Sequence, residues 1–119
     1  MGTSILVWSV VPHDGAARVV KPAGKIDEST ATPFGERLAE EIEAAAADGL
    51  AKVVVDLSHI EYMSSRGLRG LTLGQRKASE HKVAIVLAQP NEIMREILAI
   101  SRYDKVFKVF DSVAEAVAG

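Results

Sequence analysis

At 119 residues, with 48% hydrophobic and 25% charged side chains, the chain has the size and composition of one globular domain. It contains no cysteine, which excludes disulfides, iron–sulfur clusters and thiolate zinc sites. Fourteen basic and sixteen acidic side chains leave a net charge of −2, and the basic residues are scattered, which argues against nucleic-acid binding.

Residues 4–11 are rich in strand formers (Ile5, Val7, Trp8, Val10, Val11), and strand-forming residues resume at 18–20. Pro12-His13-Asp14-Gly15 lies between them, so the pair reads as a hairpin. Ala23-Gly24-Lys25-Ile26-Asp27 and the polar Glu28-Ser29-Thr30 then lead into a helix over residues 32–47. Thr30 or Thr32 can cap this helix, and Pro33 suits its first turn, where a missing N–H costs little. Phe34, Leu38, Ile42 and Ala45 share its apolar face, Glu41 borders that stripe, and Asp48-Gly49 ends it.

Residues 52–57 (Lys-Val-Val-Val-Asp-Leu) form a short continuous apolar run, the pattern of a strand buried on both faces. A partly apolar patch at 60–63 precedes Ser64, and a helix follows over 65–81, with Leu68, Leu71, Thr72 and Gln75 on one face. Gly67, Gly70 and Gly74 in that helix each cost about 1 kcal/mol relative to alanine if exposed, which points to close packing or a close partner. A second buried strand is expected at 83–88, and a helix from Pro90-Asn91 to Ile100 with Ile93, Met94, Ile97 and Leu98 inward. A last strand at 106–110 and a helix capped by Ser112, with Val113, Ala116 and Val117 on one face, complete the chain. The order β-β-α-β-α-β-α-β-α predicts an α/β fold. Its mixed sheet of about four to five strands opens with an antiparallel hairpin and carries about four helices.

No apolar run reaches the ~20 residues that cross a bilayer. Met1 to Val11 lacks the basic region of a signal peptide, so a cytoplasmic protein without membrane contact is expected. The phosphate-binding loop, the dinucleotide fingerprint and the Gly-x-Ser-x-Gly elbow are absent. His13, His59 and His81 match no compact metal site and read as surface residues. No nucleophile with a partner base can be picked out, so no catalytic residue, metal or cofactor is expected.

The segment richest in signals is 56–71, where a buried strand ends and Ser64-Ser65 open a helix. Ser64 can cap that helix. Ser65 then stands in the first turn, where unpartnered N–H groups and the helix dipole favour a phosphate, with Arg66 and Arg69 close by. On helix chemistry alone, a plain cap is the commoner outcome for such a serine pair.

Asp56-Leu57-Ser58 followed by Tyr62-Met63-Ser64-Ser65-Arg66-Gly67-Leu68 resembles the signature of STAS domains of the anti-sigma factor antagonist family. Gly24-Lys25-Ile26-Asp27 with Thr30 resembles that family's first loop, and Phe107-Lys108-Val109-Phe110 with Ala114-Glu115-Ala116 its closing strand and helix. The resemblance spans nearly the whole chain and implies a single STAS domain over residues 1–119. It implies that Ser65 is the phosphate acceptor, with Ser64 where the family commonly has aspartate and Arg66 where it has a second serine. It further implies a two-state switch. The unphosphorylated form binds an anti-sigma factor that is itself a serine kinase, phosphorylation abolishes binding, and a metal-dependent serine phosphatase resets the chain. Asp27, Thr30, Ser64, Ser65, Arg66, Gly67 and Arg69 are the implied partner-binding residues. For Asp27, a turn carboxylate is the alternative reading of its position. A constitutive scaffold module and a small-ligand-binding domain of the same fold are the alternative functions.

Overall fold

The computed structural model describes residues 5–11, 15 and 17–119. The expected turn residues Pro12, His13 and Asp14 lie outside this set, but the hairpin they would join is present. Strands β1 (Val7–Val11) and β2 (Ala17–Ile26) pair antiparallel, with Val11 opposite Val19. Helix α1 (Ala31–Ala47) follows, then β3 (Lys52–Asp56), β4 (His59–Met63), α2 (Ser65–Glu80), β5 (Ala84–Ala88) and α3 (Glu92–Ile100). A single 3-10 turn (Tyr103–Lys105) leads to β6 (Val109–Phe110) and α4 (Val113–Ala118).

The sheet is mixed and six-stranded, one strand more than expected. The additional strand is β4, at the position read only as an apolar patch. It pairs with the second half of β2 (23–26), whereas β3 pairs with the first half (17–20). Pro22 lies between the two pairings, so the residue that cannot donate to a ladder sits where β2 changes partner. This allows β2 to run ten residues, well beyond the expected 18–20.

Packing explains the apolar run in β3. Val53 and Val55 join the main core with Phe34, Leu38 and Ile42 of α1 and Leu71 of α2, whereas Val54 faces a second cluster with Ala116 of α4. Alternate residues thus serve opposite faces of the sheet. Three expectations need correction or trimming. Ile93 is 55% exposed, and α3 buries only Met94 and Leu98 fully, with Ile97 half-buried. The final strand is two residues long, because the chain at 103–105 turns as a 3-10 helix and leaves Val106 exposed. Thr30 occupies the cap position of α1, but its hydroxyl makes no capping bond there.

The glycines of α2 serve packing inside the molecule. A Cβ on Gly67 would lie 2.5 Å from Met63 Cγ and 2.6 Å from Ile26 Cγ2. Gly35 of α1 differs, because a Cβ there meets only Gly70 Cα, at 3.8 Å. Gly35→Ala is therefore expected to raise stability by about 1 kcal/mol through helix propensity. Gly67→Ala is expected to lower it by about 1–3 kcal/mol through overpacking. Urea unfolding of the two variants checks this pair, and a stabilised Gly67→Ala would contradict the packing described.

Candidate functional site

The parallel pairing of β2 with β4 sets Ile26 opposite Met63, and the Ser64 N–H donates to the Ile26 carbonyl at 2.8 Å. The loop after β2 and the start of α2 therefore meet at the carboxyl ends of adjacent strands. That edge is where open α/β sheets collect their functional groups. The turn that makes β4 possible is held by Asp56. This buried carboxylate accepts the Ser58 N–H at 3.0 Å and the Gln89 side-chain amide at 3.1 Å.

Ser64 has extended backbone and is the N-cap of α2, its hydroxyl accepting from the Gly67 N–H at 3.4 Å. Ser65 is the first helical residue and is exposed, with no hydrogen bond from its hydroxyl among the described residues. The first turn carries no acidic residue. Arg66 and Arg69 are exposed and make no ion pair among the described residues. The dipole and both guanidinium groups thus give this end of α2 a positive field.

The neighbouring loop is built by Asp27 and Thr30. Asp27 Oδ1 accepts the Ser29 N–H at 2.9 Å and the Ser29 hydroxyl at 2.7 Å, an Asx turn. The buried Thr30 hydroxyl donates to the Lys25 carbonyl at 2.7 Å and accepts the Asp27 N–H at 2.9 Å. Asp27 is therefore the organiser of its own loop, which is the alternative its position left open. Gly67 faces inward against Met63 and Ile26, so of the residues expected at the site it shapes the helix rather than the surface.

The family model for the STAS domain matches residues 8–116. The chain belongs to the STAS domain family. This STAS domain is 30% identical over 111 residues to the anti-sigma-F factor antagonist RsfB of Mycobacterium tuberculosis, a match covering 93% of the chain and 86% of the relative. The crystal structure of an anti-sigma factor antagonist from Mycobacterium paratuberculosis superposes with a TM-score of 0.75 at 27% identity, covering 97% of this chain and 96% of that one. Unphosphorylated Bacillus SpoIIAA shares the fold, with a TM-score of 0.70 at 14% identity and 93% coverage of each chain. Among the described residues of this STAS domain, no helix is long and apolar enough to cross a membrane.

The largest polar feature that the sequence only hinted at lies away from this edge. Glu41 of α1 is 3% exposed and accepts hydrogen bonds from Trp8 Nε1 (2.7 Å), Arg18 Nε (2.7 Å) and Arg37 Nε (3.2 Å). Arg37 also lies over the Trp8 ring, 5.7 Å from its centroid. Burial pushes the Glu41 carboxyl up, but the bonds from Arg18, Trp8 and Arg37 outweigh it and hold the group below its ordinary value. Its position on the border of the apolar stripe was the available signal.

Proposed function

We propose that this STAS domain is an anti-sigma factor antagonist controlled by phosphorylation of Ser65. In the unphosphorylated form it binds an anti-sigma factor that is also a serine kinase, and so frees a sigma factor in the cytoplasm. The observation that carries the reading is the setting of Ser65. It is exposed at the first position of a capped helix, beside two arginines with no ion pair among the described residues and without an acid in the turn. The family and the name of the mycobacterial relative support the same direction.

A phosphate adds about −1.5 to −2 charges at pH 7. In the free protein, the helix end and the arginines accommodate that charge at modest cost. In a closed interface it must be desolvated against the partner, which weakens the complex. A phosphatase then restores the binding form. Asp27 and Thr30 contribute by holding the adjacent loop in one shape, which lowers the ordering cost of docking.

Incubation with the cognate kinase and ATP is expected to add one phosphate, and Ser65→Ala to prevent it. Intact-mass and peptide data placing the phosphate on another residue, or finding none, would remove the basis of the switch.

A further inference from the structure

A groove of about 530 Å³ runs between α1 and α2 and is lined by residues of these two helices alone. It exists because small residues line the helix seam: Gly35 of α1 lies against Gly70 of α2, and Ala39 and Gly74 also line the groove. Leu73, 47% exposed, forms an apolar wall. The two helices run in the same sense, since Gly35 lies against Gly70 and Leu38 against Gly74. Arg66 and Arg69 stand at the Ser65 end, and the 3.0 Å Lys77–Glu43 ion pair closes the other. From residue 66 to 77, the helical rise makes the groove roughly 16 Å long, about three turns of helix.

The charges of the groove decide what fits it. Lys77 is neutralised by Glu43 and Glu36 puts one carboxylate on the α1 wall, whereas Arg66 and Arg69 on the α2 wall have no ion pair among the described residues and outnumber it. The mouth next to Ser65 is therefore cationic and the floor apolar and small. We infer that this groove docks a helix of the anti-sigma partner, about three turns long, with an apolar stripe on the seam and acidic residues on Arg66 and Arg69. The inference rests on the switch proposed above and extends it along α2. A phosphate on Ser65 would compete with the partner's carboxylates for the same guanidinium groups, which links the modification to the groove. Arg66 gives this chain a cation at that mouth.

The test uses the full chain and its purified anti-sigma factor. Leu73→Glu places a charge on the apolar wall, and Gly35→Leu fills the floor from a position with room for a Cβ. Each is expected to weaken binding at least 30-fold in calorimetry with a melting temperature no lower than that of wild type, and Arg69→Glu about 10-fold. Hydrogen exchange in the complex is expected to slow along 31–39 and 66–77. If both groove variants bind normally while Ser65→Asp does not, the groove inference falls and the switch stands. If wild type fails to bind, or Ser65→Asp binds as wild type does, the switch reading falls. Protection of the groove in the chain alone, rising with concentration and matched by dimers in light scattering, would assign the groove to a second copy and overturn the inferred occupant.

Discussion

Ser65→Asp is expected to weaken binding of the anti-sigma factor by about 100-fold, close to 3 kcal/mol, without lowering the melting temperature. The two readouts part because the same charge meets two environments. In the free protein, Ser65 is exposed at the start of α2, and a carboxylate there interacts favourably with the helix dipole, by about 0.3–1 kcal/mol. Folding is therefore untouched or slightly helped. In the proposed complex the carboxylate must be stripped of water, and it competes with the partner's acidic groups for Arg66 and Arg69. Ser65→Ala is the control, since it removes only a hydroxyl with no hydrogen bond among the described residues and should bind within threefold of wild type. Equal dissociation constants for Ser65→Asp and wild type would end the switch interpretation. A fall in both stability and affinity would instead mark Ser65 as a structural residue.

How much of this was legible before any coordinates depended on whether neighbours in sequence are also neighbours in space. The long helix was legible because Phe34, Leu38, Ile42 and Ala45 repeat at its own period and all are fully buried. The central strand was legible because Val53, Val54 and Val55 are buried on two faces at once. Strand β4 was not, since Glu61 and Tyr62 are exposed and its strand partner among the described residues is the far half of β2. That half begins after Pro22, whereas the β-branched run that marks a strand ends at Val20. Ile93 illustrates the limit of periodicity: it lies one turn before the half-buried Ile97, yet it is 55% exposed. At the candidate site, the cap, the exposed serine and the two arginines follow from local helix chemistry. Asp27 allowed two readings, and only its bonds to Ser29 identify the turn. The groove was out of reach, because it arises where Gly35 and Gly70, on different helices, come together.

Glu41→Gln is expected to cost about 2 kcal/mol of stability at pH 7. Removing one partner of a fully buried ion pair costs about 3–5 kcal/mol. The lower figure is expected here because Arg18 keeps 23% and Arg37 46% of their side-chain exposure, and water screens what they lose. A glutamine oxygen can accept at most two of the three donors, and it brings an amide that must itself find a partner, leaving Arg37 without a carboxylate among the described residues and Arg18 with only Asp48 at 4.0 Å. The pH dependence separates this account from simple loss of packing. The folded-state pKa of Glu41 lies below its unfolded value, so its contribution is complete above the unfolded carboxylate pKa of about 4.3 and disappears as pH falls through the folded pKa. A protonated Glu41 then resembles glutamine in charge. Urea unfolding from pH 7 to pH 3 should show wild type well above the variant at neutral pH and the two curves converging in acid. A gap that stays constant across that range would mean that shape, and not charge, is what Glu41 supplies between β1, β2 and α1.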